Sequence, residues 1–240
     1  MNNQSESRKS AFMSHMTERA GARELSDSRY NMVIGLMLVW GFGLNALMIR
    51  FLGFSIIDFV YRNAEHYTAI VVGFLVAYFA LCFGGSALLR SENPAVCFLG
   101  YNMIAVPIGI LLTISVISVG DFSIVYRAAL YTAIITLIML IVSTAVPHLF
   151  QNIGGGLGVA LLATIVVELA ATFIFHADLV IVDYIVIGIM SLYVGFDWAR
   201  ANQVQRTTTN AIAAASALYL DIVNIFIRIL SILSKSKSRD

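Results

Sequence analysis

Charged residues are scarce in this sequence. Asp, Glu, Lys and Arg make up 12% of its 240 residues, about half the share that soluble domains carry. The formal net charge is only +1, so the chain has no basic field that would attract nucleic acid. Hydrophobic residues make up 59% and fall in several long runs. These features exclude an ordinary soluble domain and predict a polytopic membrane protein.

Cysteine and histidine are equally sparse. The two cysteines, Cys82 and Cys97, both fall within apolar runs, which gives neither a disulfide framework nor a metal-ligand spacing. The four histidines are widely separated, at positions 15, 66, 148 and 176, and form no His-x-x-x-His pair. We therefore expect no zinc site and no bound cofactor.

Seven apolar segments are long enough to cross about 30 Å of hydrocarbon as helices. They cover about residues 31–49, 67–89, 95–119, 128–147, 157–175, 179–198 and 211–233. Short connections make neighbouring helices antiparallel and leave no room for a soluble domain. The sequence thus predicts an all-α membrane protein. It has a polar N-terminal tail at 1–29, a transmembrane domain at 30–233 and a basic tail at 234–240.

The distribution of basic residues specifies the orientation only weakly. Basic residues in the N-terminal tail favour a cytoplasmic N-terminus. The basic C-terminal residues argue against this orientation, or against a full crossing by the last segment; they are Lys235, Lys237 and Arg239. The sequence leaves these alternatives open, and we expect a cytoplasmic N-terminus.

Two acids lie in the last two apolar segments. Asp197 ends the stretch Leu-Tyr-Val-Gly-Phe-Asp, and Asp221 lies within Ala-Leu-Tyr-Leu-Asp-Ile-Val-Asn. Each is about 12 residues from Thr209, in or beside the polar turn that joins the segments. Two antiparallel helices would carry both carboxyl groups to a similar depth, at most ~18 Å from the turn. Because ionisable residues inside a membrane are energetically costly, we predict that the two acids form a functional pair.

Asp197 alone has a second interpretation. It is followed by Trp198 and, two positions later, by Arg200, and both residue types are ordinary anchors at the end of a membrane span. Asp197 would then be a solvated end residue. The matched depth with Asp221 favours the functional interpretation.

The last apolar segment carries a polar stripe. Its polar and small residues recur at alternating spacings of four and three, which places them on one helix face. They are Asn210, Ala214, Ala217, Asp221, Asn224 and Arg228. In lipid such a face is expected to point into the helix bundle. For the asparagines, the pattern leaves open whether the stripe joins helices by hydrogen bonds or supports the acid pair.

The remaining ionisable residues in the spans have several possible roles. Glu168 lies in the centre of the fifth segment and is expected to be a protonated or paired structural acid, or to support the acid pair. Asp183, near a segment start, is expected to be solvated at the interface. Arg228 is expected to snorkel to the interface or to support the pair. Arg90 ends the second segment and could snorkel or reach an acid of the last hairpin.

The last hairpin resembles the signature of the Bax inhibitor family. Gly195–Trp198 reads Gly-Phe-Asp-Trp, and Ala217–Leu230 reads Ala-Leu-Tyr-Leu-Asp-Ile-Val-Asn-Ile-Phe-Ile-Arg-Ile-Leu. The spacing between the two acids is similar to that of bacterial members, and weaker similarity extends over residues 31–233. The resemblance implies seven transmembrane helices with the C-terminal helix enclosed by the other six. It also implies a multi-pass protein of a bacterial inner membrane.

The resemblance implies a pH-sensitive calcium leak. The family's paired aspartates correspond to Asp197 and Asp221, which would sense pH and line the ion pathway, and Arg90 occupies the place of a basic latch. Calcium would be the permeant ion, bound transiently at the acids, and no other metal is expected. Two departures stand out. Phe196 replaces the Tyr that commonly precedes the first acid, and Tyr67–Leu89 lacks the Glu of some bacterial members.

Two other functions are compatible with the sequence. One is a non-conducting membrane regulator that binds other membrane proteins or a membrane protease, with the tail at 1–29 as its docking element. The other is an intramembrane aspartyl protease, whose Gly-x-Gly-Asp context is absent around Asp197. We therefore expect that the protein is not an enzyme. We expect its partners to be membrane lipids, Ca²⁺, H⁺ and other membrane proteins.

Overall fold

The computed structural model of the chain describes residues 23–173 and 180–237. The predicted N-terminal tail therefore lies mostly outside the described residues, as does the end of the C-terminal tail. Within the described residues the chain forms seven α-helices of 20 to 36 residues and no strand. The predicted all-α class is confirmed.

The helices follow one another through short connections. They are α1 (Asp27–Arg62), α2 (Tyr67–Leu88), α3 (Pro94–Val119), α4 (Phe122–Ala145), α5 (Gly154–Phe173), α6 (Val180–Ala201) and α7 (Thr208–Lys237). Two short 3-10 helices, Ala64–His66 and Pro147–Leu149, precede α2 and follow α4.

Six of these helices are long and apolar enough to cross a membrane: α1, α2, α3, α4, α6 and α7. In α5 the apolar stretch Gly154–Glu168 is shorter than the others. The protein is therefore a multi-pass membrane protein. A seventh crossing and an enclosed C-terminal helix stay predictions.

The first helix is longer than the predicted span. It runs for 36 residues, which corresponds to about 54 Å, whereas the apolar run covers only 31–49. Ser26 caps its N-terminus by accepting from the Arg29 backbone N–H. Beyond the apolar run, Arg62 pairs with Asp58 one turn earlier at 2.8 Å, both side chains being exposed. The charged side chains lie on the helix surface and pair with each other, so the helix continues beyond the apolar run to Arg62.

The described residues form two compact units. The first comprises the chain up to Leu111 together with Ala201–Ser216, and the second comprises Leu112–Arg200 together with the chain from Ala217. In the first unit α2 and α3 approach backbone to backbone, since a Cβ built on Gly85 would lie 2.6 Å from the carbonyl oxygen of Gly100.

In the first unit, the start of α1 is attached to the turn between α6 and α7. The Leu25 backbone N–H donates to the Arg206 carbonyl at 2.7 Å, and Asp27 pairs with Arg206 at 3.1 Å. The Tyr30 hydroxyl donates to the Ala201 carbonyl at 3.1 Å. Leu25, Asp27 and Tyr30 therefore hold the hairpin turn, and the tail boundary at residue 29 stays a prediction.

In the second unit, glycines allow α6 to pack closely. A Cβ on Gly195 would lie 2.3 Å from the ring of Phe150, and a Cβ on Gly154 would lie 2.4 Å from the ring of Phe196. The Ser143 hydroxyl of α4 donates to the Gly195 carbonyl. These contacts fix the part of α6 that carries Asp197 against α4 and the start of α5.

Candidate functional site

The side chains of Asp197 and Asp221 lie close enough together to interact with each other. Asp197 lies four residues before the end of α6, and Asp221 lies in the first half of α7. Asp221 is buried, with 8% of its surface exposed, and its Oδ2 has no hydrogen-bond partner among the described residues. A hydrogen bond between two carboxyl groups requires a proton on one of them. A hydrogen bond between Asp197 and Asp221 would therefore link the two helices through one proton.

Two further side chains of α6 act on this contact. Tyr193, one turn before Asp197, is close enough to interact electrostatically with both acids. Arg200, one turn after Asp197, interacts with the Asp197 carboxylate. The sequence suggested only an interface anchor at Arg200. Its spacing of three from Asp197 places both side chains on one helix face, which the sequence alone could have shown.

A second charged cluster lies further along the same two helices. Arg228 Nη1 donates to Glu168 Oε1 at 2.6 Å and to Asp183 Oδ1 at 2.9 Å, while its Nη2 donates to Glu168 Oε2 at 2.8 Å. The guanidinium group thus binds Glu168 of α5 through both its oxygens and links it to α6. Such a bidentate geometry is among the strongest charge-assisted hydrogen bonds.

Each carboxylate oxygen of Asp183 pairs with a positively charged side chain of α7. Its Oδ2 accepts from Lys235 at 3.1 Å and from the Ser231 hydroxyl at 3.3 Å. Asp183 is 4% exposed, so the prediction that it is solvated at the interface is wrong. That Arg228 snorkels stays a prediction. A buried carboxylate is stable here because two cations of α7 replace its water.

The other predicted supporting residues lie elsewhere. Asn224 is exposed, and its amide donates to the Leu220 carbonyl of its own helix at 2.9 Å. The expectation that the whole stripe points inward is therefore wrong at Asn224, because its own helix satisfies the amide. Arg90 follows α2 in the first unit, is exposed, and donates its backbone N–H to Ala87. Its role as a latch stays a prediction.

The described residues contain no group of three or more His, Cys, Asp or Glu that could hold a metal ion. The two acids nevertheless supply oxygen atoms, the ligand type that calcium prefers. One of these atoms, Asp221 Oδ2, has no hydrogen-bond partner among the residues described.

Comparison with known proteins identifies the family. The sequence profile described as Inhibitor of apoptosis-promoting Bax1 matches residues 26–238, a range that includes all seven helices and both charged clusters. The chain belongs to the Bax inhibitor family. No curated protein and no solved structure matches it significantly. The family resemblance seen in the last hairpin is therefore confirmed. The match extends over nearly the full chain.

Proposed function

We propose that this Bax inhibitor family protein is a pH-sensitive calcium-leak channel gated by Asp197 and Asp221. The observation that carries the proposal is the interaction of these two side chains across α6 and α7, with Asp221 buried. Two carboxylates in a medium of low dielectric constant repel strongly, so the pair exchanges protons as a unit.

The protonated pair closes the pathway. With one proton shared, the hydrogen bond holds α6 against α7. The buried position of Asp221 keeps water from competing for this bond. Loss of the proton replaces an attraction by a repulsion between like charges, which separates the two helices at this depth.

The ionised pair binds a hard cation. Two carboxylates provide the oxygen ligands that Ca²⁺ takes up in flexible geometry. Arg200 interacts with Asp197 and stabilises its charged form, so it competes with calcium for that carboxylate. Arg90 is the latch implied by the family. The protein would reside in a bacterial inner membrane with its N-terminus in the cytoplasm.

The test is calcium flux into proteoliposomes that contain a calcium-sensitive dye, measured between pH 5 and pH 8. We expect flux from the wild type to depend on pH. Asp197→Asn and Asp221→Asn should each abolish that dependence, because an amide keeps the hydrogen bond without a titrating proton. Unchanged flux and an unchanged pH profile in both variants would refute the gate.

Two arginine variants identify the latch. Arg200→Gln removes the cation that acts on Asp197, and we expect the flux profile to move towards higher pH by roughly one unit. Arg90→Gln tests the latch implied by the family in the same assay. A shift in only one of the two variants assigns the latch to that residue.

Truncation distinguishes a channel from a regulator that binds through its tail. The deletion must end at residue 22, because Leu25, Asp27 and Tyr30 hold the turn of the α6–α7 hairpin. A channel lacking residues 1–22 should leak calcium as the full chain does, whereas a tail-docked regulator should lose its membrane-protein partner in co-purification.

A further inference from the structure

Both charged contacts of the α6–α7 hairpin belong to one antiparallel register. Asp197 contacts Asp221, and Asp183 contacts Lys235. Asp183 precedes Asp197 by 14 residues on α6, and Lys235 follows Asp221 by 14 residues on α7. The two contacts are therefore about 21 Å apart along the helices. A slide of α7 by one turn would break both of them.

Apolar packing alone does not fix this register. The residues of α7 that are buried between the two contacts are Val223, Ile225, Ile229 and Leu230. Aliphatic side chains of similar size recur at each turn, so a helix displaced by one turn presents nearly the same apolar surface. In a membrane no hydrophobic effect between helices opposes such a slide. Polar residues are the recognised means of selecting one register among several.

The ion-pair cluster discriminates between registers. Arg228 binds Glu168 of α5 and Asp183 of α6 with one guanidinium group, and Lys235 binds the second oxygen of Asp183. A one-turn slide moves both cations by about 5.4 Å, beyond the range of these hydrogen bonds. Asp183, almost fully buried, would then lose the partners that compensate its charge.

We infer that Asp183, Arg228 and Lys235, with Glu168, are positioning residues that set the register in which Asp221 meets Asp197. The gating acids repel when ionised and cannot hold the helices in register themselves. The distant ion pairs keep α7 in place while the acid pair opens, so that the pair closes again on reprotonation. This role rests on the proposed gating function, but the register itself can be measured without flux.

The register is tested by disulfide cross-linking in membranes. In full-length protein with Cys82 and Cys97 replaced by alanine, Val186→Cys and Ile232→Cys form a pair on the register of both contacts. The pair Val186→Cys with Ser236→Cys is one turn out of register. We expect the first pair to cross-link readily and the second poorly. The opposite ranking would overturn the inference.

The charged residues are then changed within this background. Arg228→Gln should lower the in-register yield several-fold and raise the out-of-register yield, and Lys235→Gln should do so to a smaller extent. Arg228→Lys keeps the charge and should restore part of the in-register yield. Lys237→Gln, which removes an exposed ion pair with Asp121, is the matched control and should change neither.

The outcomes separate the register from the channel. A lower in-register yield together with an altered pH profile of flux supports positioning and gating. A lower yield with unaltered flux supports positioning and refutes gating by the acid pair. An unchanged yield in both Arg228→Gln and Lys235→Gln overturns the positioning role, whatever the flux. Where Arg228→Gln fails to fold, the milder Lys235→Gln decides.

Discussion

The two charged contacts of the α6–α7 hairpin share one register and differ in their electrostatics. At one contact, two carboxyl groups meet and Asp221 keeps an oxygen without a hydrogen-bond partner among the described residues. At the other, Arg228 forms ion pairs with both Asp183 and Glu168, and Lys235 forms a further ion pair with Asp183. In the proposed gate the first contact depends on one proton, whereas the second pairs acids with oppositely charged side chains.

This difference teaches how one hairpin can combine a switch with a fixed register. Two carboxyl groups attract each other while they share a proton and repel each other when both are ionised. Oppositely charged side chains attract each other as long as both are charged. Because the two contacts are about 21 Å apart, movement at the first need not disrupt the second. The following predictions test this contrast.

The largest effect is expected at the ion-pair contact. Arg228→Ala leaves Glu168 and buried Asp183 without the guanidinium group that binds both. Since Glu168 is partly exposed, we expect the free energy of unfolding to fall by about 3 kcal/mol, near the lower end for a broken buried pair. Unfolding in mixed micelles at increasing SDS measures it. A loss below ~1 kcal/mol would show that the cluster is solvated.

A smaller loss is expected from the packing next to the acid pair. Gly195→Ala places a methyl group 2.3 Å from the Phe150 ring, which must shift. We expect a net loss of about 1–2 kcal/mol after the gain in helix propensity. Gly188→Ala is the matched control on the same helix, because nothing lies within 4 Å of its Cβ. The same SDS titration should show it to be neutral or slightly stabilising, and equal losses in both variants would contradict the packing.

Neutralising the acid pair should hardly change stability. In Asp221→Asn the amide donates to the Asp197 carboxylate in place of the shared proton. We therefore expect the free energy of unfolding to change by less than about 1 kcal/mol, in contrast to Arg228→Ala. A loss as large as that of Arg228→Ala would mean that the acid pair, and not the ion-pair cluster, carries the stability of the hairpin.

The smallest effect is expected at the end of α7. The hydrogen bond from Lys237, with those from Ser123, holds the pKa of Asp121 well below its usual range. A lowered pKa stabilises the fold above the usual Asp range, and this contribution disappears as the pH falls through the folded pKa. Lys237→Gln should therefore raise the pKa of Asp121 towards its ordinary value, as carboxyl NMR titration can show. An unchanged pKa would contradict the contact.

The sequence predicted the contact between the two acids but not the contact between Asp183 and Lys235. The equal distances of Asp197 and Asp221 from the turn predicted their common depth, and the structure brings their carboxyl groups together. The same symmetry about residue 209 relates Asp183 to Lys235, but the sequence predicts an interfacial position for Asp183 and a basic tail that contains Lys235. The hydrophobicity pattern ends before Lys235, whereas α7 continues to Lys237, where ion pairs hold its last turns.

The sequence by itself determined the helical class, the membrane location and the family, because long apolar runs and the hairpin motif are local features of the chain. It also predicted a common depth for the two acids, which follows from helix rise and spacing alone. Only the tertiary structure decided that Glu168, Asp183 and Arg228 meet and that the start of α1 holds the hairpin turn. The physical reason is that two other helices supply the partners of the Arg228 guanidinium group, and no local pattern specifies which helices become neighbours.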